Sequence, residues 1–184
     1  MSLLLLLLVS TLGLATGAVV DLVNCKYTSD AGKVFDLSAL ISNSPYGYSW
    51  NQTVWDTTDN ILSNTDFASS VHLGFQLQFC RNISTVLYPA YCKTAAPASP
   101  VYVINFDART CVSHGSLDSA TIELNPYNDG VYLDYYNGDA VDHITRREAR
   151  VYFTCDASTI TGPTFEHLKD SYQGHFAVPT KYAC

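Results

Sequence analysis

Three of the chain's five arginines, Arg146, Arg147 and Arg150, fall within five positions of the stretch GVYLDYYNGDAVDHITRREARVYFTC, residues 130–155. A guanidinium carries five N–H donors in a planar fork, so such a cluster can hold carboxylates, phosphates or hydroxyls. On a solvated face the arginines would instead pair with Glu148, Asp139 and Asp142, an arrangement that contributes little stability. Asp139 and Asp142 follow an Asn-Gly turn. Two carboxylates are too few to select a metal ion alone, and Asp is frequent in turns. No metal and no cofactor is expected. The five histidines, His72, His114, His143, His167 and His175, make no HExxH arrangement, and no serine stands in a GxSxG elbow. His167 and His175 near Asp170 would make a weak metal site at best. Catalysis is not expected.

The elements that position these groups read as strands. Segments 33–40, 71–80, 101–106, 120–124, 130–136, 149–155 and 175–178 are rich in β-branched and aromatic residues, and turn clusters such as Asn125-Pro-Tyr-Asn-Asp-Gly separate them. Thirteen Tyr and eight Phe against one Met point the same way. Only residues 60–71 could hold a short helix, and their apolar positions form no stripe. Short strands at regular spacing predict an all-β sandwich or flattened barrel. With 184 residues and 47% apolar content, one domain with a substantial core is expected. Residues 93–100 (KTAAPASP) are linker-like but too short to separate two domains. The formal charge of -7 excludes a basic face for nucleic acid or an anionic membrane.

The N-terminus, MSLLLLLLVSTLGLATGA, has an apolar core at residues 3–9 followed by small residues. It predicts a signal peptide over 1–18, cleaved after Gly17 or Ala18, and a domain over 19–184. No other apolar stretch approaches the ~20 residues of a membrane span. Cys25, Cys80, Cys92, Cys111, Cys155 and Cys184 form an even set, which in an exported chain predicts three disulfides in any of fifteen pairings. Asn51-Gln-Thr and Asn82-Ile-Ser are N-glycosylation acceptors, expected on exposed loops. The chain ends on Ala183-Cys184 with no Lys-Asp-Glu-Leu-type retrieval signal. Secretion or passage to endolysosomes is the resulting expectation.

Several pieces stand in a recognisable order. Cys25 precedes Phe35-Asp-Leu-Ser-Ala-Leu, and a strand then ends in Phe79-Cys80-Arg81-Asn82. Next come the turn Asn137-Gly-Asp, the arginine cluster and the strand that ends at Cys155. Gly162-Pro-Thr-Phe, Phe176-x-Val-x-Thr180 and Ala183-Cys184 close the chain. In this order and spacing the whole mature chain resembles a mannose 6-phosphate receptor homology (MRH) domain, the fold of the P-type lectins. The resemblance implies a flattened β-barrel of two packed, mostly antiparallel sheets. It also implies disulfides Cys25–Cys80 and Cys155–Cys184 and, with them, Cys92–Cys111. A further bridge of the family would join the positions of Thr145 and Tyr172, and both cysteines are absent.

Mannose-binding members of the family use an Arg, a Gln, a carboxylate and a Tyr. The resemblance places the Arg at Arg147. Asn105 is the nearest amide to the Gln position, and Glu166 or Asp170 to the carboxylate. Gly174 stands at the Tyr position, with Tyr172 two residues away. Two functions are implied. One is a soluble secretory-pathway lectin-like module that binds mannose-type N-glycans or glycoproteins, phosphorylated or not, through Arg147 with Asn105 and Glu166. The other is a non-lectin domain that serves as a protein-interaction or sorting unit.

Overall fold

The computed structural model describes residues 17–55, 70–84, 92, 98–127, 129–158, 162–169 and 172–184. Residues 1–16 of the expected signal peptide, most of the candidate helix, Asp170 and part of the linker-like stretch lie outside these residues. Twelve strands are described: β1 Val19–Asp21, β2 Lys26–Thr28, β3 Val34–Asp36, β4 Tyr48–Trp55, β5 Ser70–Leu77, β6 Val101–Asn105, β7 Thr110–Ser113, β8 Ser116–Leu124, β9 Gly130–Tyr136, β10 Glu148–Cys155, β11 Thr164–Lys169 and β12 Gln173–Thr180. They form a five-stranded sheet in the order β11-β12-β10-β9-β8, a four-stranded sheet β4-β5-β6-β7 and a small sheet β1-β2-β3. All pairings are antiparallel except β10 with β12. No α-helix occurs among the described residues. The architecture is all-β, with the two larger sheets packed together and the strands not closed into a barrel.

The period of two explains the packing. Side chains alternate across a strand, so Val131, Leu133 and Tyr135 of β9, Ala149, Val151 and Phe153 of β10, and Phe176 and Val178 of β12 share one face. All are buried against Leu73, Phe75, Leu77, Val101 and Val103 of the opposite sheet. Phe75 stacks on Phe165 at 4.6 Å between centroids and meets Phe176 edge-on at 5.9 Å, which joins the layers at their centre. A smaller cluster, Ile83, Cys92, Tyr102, Ile104 and Cys111, lies on the other face of β6.

Two bridges staple this core, Cys25–Cys80 and Cys155–Cys184. Each is worth about 2–4 kcal/mol through its constraint on the unfolded chain. Cys92 and Cys111 depart from the expected third bridge. They lie together in the smaller cluster as buried thiols within hydrogen-bonding reach, and burial pushes both thiols above their ordinary pKa. Near Cys80 the chain depends on Tyr135. Its hydroxyl accepts from the Cys80 N–H and donates to the Gln78 carbonyl, both at 3.0 Å. Tyr135→Phe leaves both backbone groups buried and unpaired. It is expected to cost about 1–3 kcal/mol in urea unfolding; a change within error would assign the two groups other partners.

The strand expected at 33–40 stops early. Asp36 accepts the Ser38 N–H at 3.1 Å, and this local bond turns the chain into the 3₁₀ turn Ser38–Leu40. Two strands run well beyond their expected bounds, as β8 and β12 extend along a paired neighbour. The sequon at Asn51 lies on the edge strand β4 and not in a loop, although it is exposed. Asn82 is exposed in the segment after β5.

Candidate functional site

The β9–β10 connection is a short, tightly bonded loop. Asn137 takes a left-handed φ of 59°, which Asn tolerates, and starts the reversal. The Gly138 N–H then donates to the Arg147 carbonyl and the Arg147 N–H to the Asp139 carbonyl, both at 2.9 Å. Gly138 is required here because a Cβ would stand 2.4 Å from the Ser113 carbonyl oxygen and 2.8 Å from that of Arg147. Asp142 Oδ1 accepts the N–H groups of Ile144 and Thr145, and Asp139 Oδ2 accepts that of Ser113 at 2.8 Å. Asp142 therefore serves the loop's own backbone, and Asp139 ties the loop to the end of β7. No cluster of three or more metal-ligating side chains occurs among the described residues.

The three arginines have three different fates. Arg150 grips Asp134 through two bonds of 2.6 Å, with its guanidinium 4.4 Å above the Tyr132 ring. Arg146 is exposed and donates to the Gly138 carbonyl at 3.2 Å. Neither pairs with Glu148, Asp139 or Asp142 as a solvated cluster would. Arg147 precedes β10 and alternates with Glu148, which directs it to the inner side, as Ala149 is. Its Nε and Nη1 are closed to solvent and have no hydrogen-bond partner. Burial pulls its pKa below the ordinary arginine value, and the nearby Asp139 carboxylate partly offsets this.

Beside Arg147 lies His114, just after β7. It is 1% exposed, and its Nδ1 stands 3.1 Å from the Glu148 carbonyl oxygen. A carbonyl only accepts, so a neutral His114 carries its proton on Nδ1 and a lone pair on Nε2. Burial, and after it the Arg147 charge, lower its pKa to about 3. The ring reaches the inner side of Gly174. A Cβ added there would stand 3.5 Å from His114 Nδ1 and 3.2 Å from the Phe176 ring. The place where the resemblance sets a tyrosine is thus lined by an imidazole from the other sheet. Thr145 and Tyr172, at the absent bridge, are held by backbone bonds: Val141 N–H to the Thr145 carbonyl and Glu148 N–H to the Tyr172 carbonyl, both 2.9 Å.

Asn105 and Glu166 are not brought to Arg147. Asn105 is buried at the β6–β7 turn, where its Oδ1 accepts the Ala108 N–H at 2.8 Å. The His114 N–H bonds the Val101 carbonyl at the opposite end of β6, four residues or about 13 Å away. Glu166 is exposed in a bulge of β11, and β12 separates it from β10. His114 was not among the expected site residues. It follows a four-residue strand, and its partners lie some 34 positions away, so no local pattern marks it.

No family model matches the chain, and no curated protein matches it. Solved structures do. Domain 11 of the chicken IGF2R is 20% identical with a TM-score of 0.54, covering 87% of this chain and 90% of that one. Domain 11 of the echidna mannose 6-phosphate/IGF2R receptor, an NMR solution ensemble, is 19% identical at the same TM-score, covering 90% and 97%. Likeness at this identity shows the fold: the chain has the fold of an MRH-type domain.

Proposed function

We propose that the chain is a soluble lectin-like module of the secretory-pathway lumen that binds mannose-type N-glycans through Arg147. The observation that carries this is the buried guanidinium with two unmatched N–H groups. An unsatisfied buried donor costs about 1–3 kcal/mol, more when charged, and ligand oxygens would return it. The MRH-type fold supports the same reading, and the two disulfides fit an oxidising compartment. Glycans at the exposed Asn51 and Asn82, and secretion or an endolysosomal destination, belong to this proposal. Asn105 and Glu166, named from the resemblance, lie away from Arg147, so the reading rests on Arg147 alone. The test is a glycan array with the oxidised, secreted protein beside Arg147→Ala. Mannose-terminated glycans are expected to bind the wild type and to lose at least about tenfold in affinity in the variant. Equal signals, or none from a folded wild type, would overturn the reading.

One observation favours the second reading, a protein-interaction unit. The loop that holds Arg147 exposes two aliphatic side chains, Val141 (44%) and Ile144 (82%), on a rigid turn. Exposed apolar groups beside a bonded loop suit a protein surface better than a sugar.

A further inference from the structure

We infer that His114 determines what the Arg147 site accepts, and that it selects uncharged hydroxyls over phosphate. The inference rests on the glycan-binding reading above and deepens it.

Two observations meet here. The first is the hydrogen-bonding character of the interior. The Glu148 carbonyl fixes the His114 proton on Nδ1, which leaves Nε2 an acceptor. Arg147, close enough for its charge to act on His114, has unmatched donors, and these together with an imidazole acceptor complement a hydroxyl, which accepts and donates together. A phosphate has oxygens for the guanidinium and, as a dianion, no proton for the imidazole.

The second is charge. Arg150 is committed to Asp134, and exposed Arg146 to the Gly138 carbonyl. Among the described groups around His114, Arg147 is then the single cation, and Asp139 stands near it with one oxygen bonded to Ser113. One cation half-balanced by a carboxylate does not match the roughly -1.5 to -2 of a phosphomonoester. Gly174, whose Cβ would stand 3.5 Å from His114 Nδ1, and the Phe176 ring beside that position carry no charge.

The experiment titrates the oxidised protein with methyl α-mannopyranoside and with mannose 6-phosphate, using wild type, His114→Gln, His114→Leu and Arg147→Ala. Glutamine keeps a donor for the Glu148 carbonyl and an acceptor for the ligand; leucine keeps bulk and loses both. Wild type and His114→Gln are expected to favour the neutral sugar by at least about tenfold, and His114→Leu to bring the ratio towards one. Equal or better binding of the phosphate by wild type, or an unchanged ratio in His114→Leu, would overturn the inference and leave the glycan reading standing. Failure of both sugars to bind folded wild type would overturn both. If His114→Leu does not fold, nitrogen NMR of wild type decides: an Nε2 that carries a proton at pH 6 refutes the inference, and a bare Nε2 with the tenfold preference upholds it.

Discussion

Arg150→Leu is expected to destabilise the protein by about 3–5 kcal/mol, far more than a surface ion pair is worth. The reason lies in its partner. The Asp134 side chain is only 2% exposed, and Arg150 supplies two of its bonds, with the Tyr136 hydroxyl adding a third at 2.9 Å. Removing Arg150 strands a carboxylate where water cannot reach it. It also removes the cation from the Tyr132 ring face, which contributes about 0.5–1 kcal/mol. The hydrogen bonds to Asp134, and after them its charge, favour the charged guanidinium and raise its pKa. The double variant Asp134→Val/Arg150→Leu should recover most of the loss, because it leaves no charge buried. Urea unfolding of both variants is the measurement. A cost below about 1 kcal/mol for Arg150→Leu would mean that the pair behaves as an exposed one.

Stability should also fall on acidification, over a window set by His114. Its pKa is about 3 in the fold against 6.5 ordinarily, so the folded state binds this proton less readily than the unfolded chain. The stabilisation is complete above pH 6.5 and declines as pH drops towards 3. The slope from this one proton is about 1.4 kcal/mol per pH unit. Asp36, lowered to about 2 by Lys26 and Ser38, acts in the same direction only below its ordinary 3.8. Glu148, whose burial raises its carboxyl pKa above the ordinary 4.5, acts in the opposite direction within the same range. The His114 contribution is therefore the difference between wild type and His114→Gln, which should lose the downward slope between pH 6 and 5. Equal slopes for variant and wild type in urea unfolding at pH 6, 5 and 4 would contradict the buried neutral imidazole.

The sequence showed its central strands best. β9 has the expected bounds, and β6 and β10 differ by one residue at one end. Their inward residues are β-branched or aromatic, and neighbours on both sides leave little choice of conformation. The strands that escaped notice are β1, β2, β4, β7 and β11. Three-residue strands such as Lys26–Thr28 are too short for a period to register. β4 (YSWNQTVW) mixes Ser, Asn and Gln into an edge whose outer side faces solvent.

The site was legible only in part, because it is built from distant segments. Arg147 stood out through the resemblance and not through composition, which favoured a solvated cluster. His114 was hidden, since its role depends on Gly174 and Arg147 meeting it across two sheets. Asn105 has the right type at a strand end, but a bond to Ala108 commits it to the turn.

The proposed lectin function requires the unmatched Arg147 donors to receive a sugar. The most direct measurement follows the Arg147 Nε–H resonance while methyl α-mannopyranoside is titrated into the oxidised protein. A saturable shift of that resonance is expected, with its exchange with water slowed by at least about tenfold as a ligand oxygen accepts a hydrogen bond from the N–H. A resonance that stays in place while the sugar is brought to saturating concentration would contradict it.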